Sequence, residues 1–248
     1  MIMILVWIIL STLVISLFSL IGVVTLAIKE SFLNKILLLL VGFSAGALAG
    51  GAFLHLLPEA LEKLTAADTF LYTLLGFTLF FLLERILHWR HCHEGHCDVH
   101  AFTYLNLYGD GLHNFIDGLV IAGSFVISIP LGIATSLAVA LHEIPQEIGD
   151  FAVLIYGGFS KYKALAYNLL SALTAVLGGI IGYYLSSAIA GFAPALLPLT
   201  AGGFIYIAAS DLIPELHKET NLLKANLAFV LFILGIIFMW GIKQLGIG

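Results

Sequence analysis

Two segments of this chain carry, at helical spacing, the residue types that bind divalent metals. The first reads His113-Asn114-Phe115-Ile116-Asp117-Gly118 and the second His142-Glu143-Ile144-Pro145-Gln146-Glu147-Ile148-Gly149-Asp150. On a helix, residues four apart share a face. This groups His113 with Asp117, with Asp110 a turn earlier and Asn114 adjacent, and it groups His142 with Gln146 and Glu143 with Glu147. Facing each other, two such helices offer two imidazoles and three carboxylates, a donor mix that suits zinc, iron or manganese. Pro145 lacks an N–H, so it frees the carbonyl of Leu141 and is expected to bend its helix at the same place. Two other readings compete. His142-Glu143 opens like the His-Glu-x-x-His signature of zinc hydrolases, but position 146 is Gln and Pro145 interrupts the helix that signature needs. Polar residues also tie helices together by hydrogen bonds, yet one His and one Asp would serve for that. The chain is expected to be no enzyme and to use no catalytic cofactor.

The elements that hold these residues must lie in lipid. The chain has 248 residues, 61% hydrophobic and 10% charged, with a mean hydropathy of +1.09. A soluble domain carries roughly a quarter charged residues, so the surplus apolar surface faces the bilayer. The net charge of -5 gives no reason to expect nucleic acid as a partner, and two cysteines do not make a secreted disulfide framework. A helix needs about 20 apolar residues to cross the hydrocarbon. Eight such spans are predicted, near 3–27, 36–60, 68–89, 105–127, 131–156, 164–190, 195–215 and 223–245. Residues 1–28 lack the basic start and short apolar core of a signal peptide and read as a retained span. The apolar runs are continuous, which argues against a barrel. The expectation is an all-α integral membrane protein, 1–248 forming one transmembrane domain with a His/Cys-rich loop at about 90–102.

Basic residues orient the spans. Lys29, Lys35, Arg85, Arg90, Lys161, Lys163, Lys218 and Lys224 fall on one side, and only Lys63 and Lys243 on the other. This predicts a multi-pass protein of a plasma or inner membrane with both termini extracytoplasmic. At roughly 1.5 Å per residue, His113 lies about 12 Å and Asp117 about 18 Å from the cytoplasmic end of helix 4. Glu147, Gln146, Glu143 and His142 lie at about 13, 15, 19 and 21 Å from that of helix 5. The two sets share one slab near mid-membrane, where ionisable groups usually mark a transport path. There is also a trace of repetition. Gly50-Gly51 leads to His55-Leu56-Leu57-Pro58-Glu59, and Gly202-Gly203 leads to Asp211-Leu212-Ile213-Pro214-Glu215, on helices of opposite direction. Helices 1–3 and 6–8 are thereby expected to form an inverted repeat around the helix 4–5 pair, a common build for secondary transporters.

These motifs resemble the ZIP family of divalent-metal transporters, in His-Asn-x-x-Asp-Gly of helix 4, His-Glu-x-Pro-x-Glu-x-Gly-Asp of helix 5, His-Leu-x-Pro-Glu of helix 2 and a Pro-Glu pair in helix 7. The resemblance covers essentially the whole chain. It implies a transport site of His113, Asn114, Asp117, His142, Glu143 and Gln146, with Glu147 as a further ligand or orienter. It also implies an inlet at His55 and Glu59 and an outlet at Asp211, Glu215 and His217. Gln146 stands where relatives often carry His or Glu, which weakens the zinc affinity of that corner at neutral pH. Family members with two ions take a carboxylate from helix 6, and residues 164–190 contain none, only Asn168, Ser171 and Thr174. A second ion would then rest mostly on Asn114, Asp117, Glu143 and Glu147.

The loop offers His91, Cys92, His93, His96, Cys97 and His100, a set able to chelate a soft or borderline cation as a cytoplasmic acceptor or sensor. The expected function is uptake of a divalent metal into the cytoplasm, zinc foremost, with iron, manganese or cadmium as alternatives. A passive metal channel is the second reading, and an intramembrane hydrolase a distant third. The expected partners are the ion and the lipid bilayer; the oligomeric state is open, a homodimer among the options.

Overall fold

The computed structural model describes residues 2–25, 30–89 and 99–245. Among these residues the secondary structure is helical throughout, with no strand. Eight rods follow in the predicted order. They are α1 (Ile2–Ile21), α2 (Ile36–Lys63), α3 (Ala66–Trp89), α4 (Val99–Ile127), α5 (Ile129–Tyr156), α6 (Lys161–Ala188), α7 (Phe192–His217) and α8 (Leu222–Gln244). Six of them, all but α4 and α5, are long and apolar enough to cross a membrane, so the chain is a multi-pass membrane protein. The two exceptions have the length, 29 and 28 residues, roughly 43 Å at 1.5 Å per residue against a hydrocarbon layer of about 30 Å. They lack uniform apolarity because they carry the His, Asp and Glu residues.

Helix ends follow local chemistry. One residue, Ser128, separates α4 from α5; it is extended, and its hydroxyl accepts from the N–H of Leu131 at 3.2 Å, capping α5 just before Pro130. This short turn makes α4 and α5 antiparallel neighbours. Gly158 and Gly191, with φ of 87° and 82°, turn the chain into α6 and α7 in a left-handed conformation that a side chain would strain. Asn221 caps α8 by accepting from the N–H groups of Leu223 and Lys224. In the same loop, the N–H of Asn221 donates to Glu219 and holds its carboxyl below the ordinary range, with Lys224 assisting.

Two boundaries differ from expectation. Helix α4 begins at Val99, inside the predicted loop, because residues 99–105 contain no Gly or Pro to stop it. Helix α6 is interrupted at Leu173. There the hydroxyls of Ser171 and Thr174 bond carbonyls three residues back, at 3.0 and 2.6 Å, and compete with the helical ladder.

The prolines are answered by neighbours. Helix α5 continues through Pro145, and the carbonyl of Leu141 accepts the hydroxyl of Ser44 from α2 at 2.5 Å. The carbonyl of Leu54, four residues before Pro58, accepts Lys243 Nζ from α8 at 2.6 Å. Both α2 and α7 carry a six-residue π-helical stretch, Gly51–Leu56 and Ile207–Leu212, each ending just before the residue that precedes Pro58 or Pro214. Their bonds run five residues back, from Leu57 N–H to Ala52 and from Ile213 N–H to Ala208.

Packing pairs α2 with α8, α3 with α7 and α4 with α6, while α5 lies on α1 and α2. Glycines permit the close contacts. A Cβ on Gly46 would run into the Phe232 carbonyl, and one on Gly118 into the Ala175 carbonyl. Gly118→Leu is expected to destabilise the protein by about 1–3 kcal/mol or to prevent folding, seen as a lowered unfolding midpoint in detergent.

Candidate metal centre

Helix α4 points His113 and Asp117, one turn apart, at α5, which answers with His142 and Glu143. The Nε2 atoms of the two imidazoles lie 3.2 Å apart with their rings perpendicular. From His113 Nε2, Asp117 Oδ2 is at 3.6 Å and Glu143 Oε1 at 3.5 Å. From His142 Nε2 both carboxylates are at 3.3 Å. Zinc bound by nitrogen and oxygen at about 2.0–2.1 Å in a tetrahedron would place its ligand atoms about 3.3–3.4 Å from one another. These distances therefore suit a small divalent cation at the middle of the four atoms.

The surroundings favour that use. Asp117, His142 and Glu143 are buried, and neither Glu143 oxygen nor Asp117 Oδ2 has a hydrogen-bond donor. Buried carboxylates without partners are costly unless a cation neutralises them. His142 Nδ1 lies 3.3 Å from the Ala138 carbonyl; donating to it would fix the tautomer and leave the Nε2 lone pair for a metal. Phe80 and Phe204 stand edge-on to His113 and His142.

A second buried group, Asp110, Glu143 and Glu147, lies beside the first and shares Glu143 with it. Asn114 donates to Asp110 Oδ1 at 2.8 Å, and Asn168 of α6 donates to Glu147 Oε2 at 2.6 Å. Gln146 points its amide nitrogen at Asp110 Oδ1, 3.5 Å away. Asp110 stands in the second group beside Glu143 and Glu147, a carboxylate that sequence reasoning set one turn before His113.

A cavity of about 350 Å³ reaches this centre from the end where α3, α5 and α7 finish and α4 begins. Glu84 and Asp211 stand at its mouth, and Asp110, His113, Gln146 and Asp150 line it deeper in. His113 keeps 18% of its side chain open. Glu84 accepts the Tyr206 hydroxyl, and Asp150 accepts from Asn106 at 2.8 Å. Of the predicted outlet residues, Asp211 lines the cavity; Glu215, paired with Lys218 at 2.5 Å, and His217 are exposed outside it. At the opposite end of α2, His55 is buried with Nε2 2.9 Å from the Met239 carbonyl, and Glu59 pairs with Lys63 at 2.9 Å. Beyond Asp117 and His142 on that side, Ile121, Phe125, Leu131, Ala134 and Ala138 are all buried.

Sequence reasoning left Glu84, Asn106 and Asp150 without a role. Asn106 and Asp110 continue the four-residue stripe of Asn114, and that was the available signal. His91, Cys92, His93, His96 and Cys97 lie outside the described residues; His100 falls in the first turn of α4.

The fold and this cluster define a multi-pass membrane protein in which side chains able to hold a metal ion are gathered between α4 and α5. The profile described as ZIP Zinc transporter matches residues 4–101 and 91–243. The chain is 33% identical to Zinc transporter zipt-7.1 of Caenorhabditis briggsae, over 85% of this chain and 72% of that one. It is 34% identical to Zinc transporter ZIP13 of Pongo abelii, over 81% and 65%, and 35% identical to Zinc transporter YKE4 of Saccharomyces cerevisiae, over 77% and 64%. It spans about two thirds of the length of these relatives and about a third of others. The chain belongs to the ZIP zinc transporter family.

Proposed function

We propose that this protein moves divalent metal ions, zinc foremost, across a membrane into the cytoplasm through the α4–α5 centre. The observation that carries the reading is the set of four ligand atoms at zinc-tetrahedron spacing, three of them on buried residues, on the two helices too polar to face lipid. The family is one of transporters, and Gln146, in the place of a hydrolase's second His, turns its amide toward Asp110.

The direction rests on charge and on the cavity. Lys161, Lys163, Lys218 and Lys224 lie at the ends toward which the cavity opens, and an excess of basic residues marks the cytoplasmic side. Eight spans then put both termini outside. The packed apolar residues beyond His142 favour a carrier that opens to one side at a time over a continuous pore. An ion enters near His55 and Glu59 once that side opens, exchanges water for the four ligands, and leaves past Asp211. The matched π-helical stretches and the pairing of α2–α8 with α7–α3 fit an inverted repeat in which each half gates one face.

The test is radioactive zinc uptake by proteoliposomes. His142→Ala is expected to reduce uptake to the protein-free background; uptake at the wild-type rate would refute the site.

A further inference from the structure

Helices α4 and α6 enclose a second hollow that the metal centre does not use, a groove of about 440 Å³. Tyr104, Tyr108 and Leu112 line it from α4, and Tyr167, Leu170 and Thr174 from α6. All but Thr174 are exposed, Tyr108 by 75% and Leu170 by 61%. No Asp or Glu among the described residues lines it. In a chain that spans a membrane, such an apolar surface meets lipid.

The groove has the length of one leaflet and a charged end. From Lys163 to Thr174, just past the break in α6, the helix rises roughly 16 Å at 1.5 Å per residue, about half of the 30 Å hydrocarbon layer. Lys163 stands four residues before Tyr167 on the same helical face, and Lys161 opens the helix. Both lysines are exposed, and no carboxylate among the described residues pairs with either. Beside them three rings bridge the two helices. Phe159 lies 5.5 Å from Tyr104 and 5.4 Å from Tyr167, centroid to centroid. Tyrosines gather at the headgroup level of membrane proteins, so the lysines sit where lipid phosphates are.

We propose that this groove binds one anionic phospholipid, its phosphate beside Lys161 and Lys163 and an acyl chain lying between α4 and α6. Basic pockets between membrane helices recognise anionic headgroups. A zwitterionic headgroup would bring its own cation to the two lysines, and an anionic one brings none. Across the floor Thr174 gives its hydroxyl to the Gly111 carbonyl at 2.5 Å, so a seated lipid covers the seam behind which Asp110 and Asn168 are buried. Groove and lysines share one end of the molecule, and the proposal does not depend on the direction of transport.

The experiment offers phosphatidylglycerol and phosphatidylcholine to the purified full chain in a neutral detergent and counts bound lipids by native mass spectrometry. Wild type is expected to retain one phosphatidylglycerol, preferred more than about tenfold over phosphatidylcholine, as two lysines near a phosphate would give. K161Q/K163Q keeps the groove, removes its charge and is expected to hold the two lipids alike. A Cβ on Gly111 would meet Ser171 and Thr174 at 3.7 Å, an ordinary contact, so Gly111→Leu can grow into the groove and is expected to retain neither lipid. Should one variant not fold, the other carries the comparison. Equal retention of both lipids by wild type would overturn the inference, as would an unchanged preference in K161Q/K163Q or a phosphatidylglycerol still held by Gly111→Leu. A wild-type dimer that Gly111→Leu splits would overturn it too, since a second copy would then cover the groove. Zinc uptake plays no part in this count, so its outcome is separate from that of the transport site.

Discussion

Glu143→Ala is expected to abolish zinc uptake in proteoliposomes, and to lower zinc affinity more than any other single change in the centre. Glu143 Oε1 lies 3.5 and 3.3 Å from the two imidazoles, and the same residue belongs to the oxygen group beside them. Its removal takes one of four residues from the first group and one of three from the second. Loss of an outer partner of a metal site already costs about 10–100-fold in affinity, so loss of a shared ligand should exceed that. Glu143→Gln keeps the volume and removes the charge, and it is expected to be nearly as severe. Zinc affinity of Glu143→Ala within threefold of wild type, measured by competition with a chelating dye, would mean that this carboxylate holds no ion.

Uptake should fall steeply on acidification of the side from which the ion enters. Protons and metal compete for the same atoms, since an imidazolium between Asp117 and Glu143 occupies the position that zinc would take. The bound metal requires both rings neutral. Metal binding therefore releases protons, and affinity falls as the pH is lowered. With two imidazoles the fall approaches about a hundredfold per pH unit on the acid side. The measurement is the apparent KM for zinc in proteoliposomes at external pH values from about 7.5 to 5.5. A KM that does not move would exclude the histidines as ligands.

Much of this architecture was legible in the residues themselves. Long apolar runs marked the helices. Helices α4 and α5 were legible for the opposite reason, since their acids and imidazoles are too costly to face lipid. What remained hidden was the rotation of α5. His142 with Gln146, and Glu143 with Glu147, are two stripes on neighbouring faces of one helix, and spacing alone cannot say which edge of each meets α4. Packing against α1 and α2 decides it, bringing His142 and Glu143 together and turning Gln146 toward Asp110. The placement of Asn168 was hidden likewise, because its contact with Glu147 joins two residues 21 positions apart on different helices.

The wide turns of α2 and α7 imply a way to probe motion through helical pitch. Each stretch holds more residues per turn than an ordinary helix, so removing one residue would wind it back to regular pitch. Everything beyond would keep nearly its orientation about the helix axis, because a regular helix one residue shorter turns the chain about as far as the wide stretch does. The wide turn alone would be lost, and with it the place where each helix can bend. Single-residue deletions in the two stretches would thus stiffen one doorway at a time, and a protein that keeps its ion but cannot let go of it would reveal which doorway has to give.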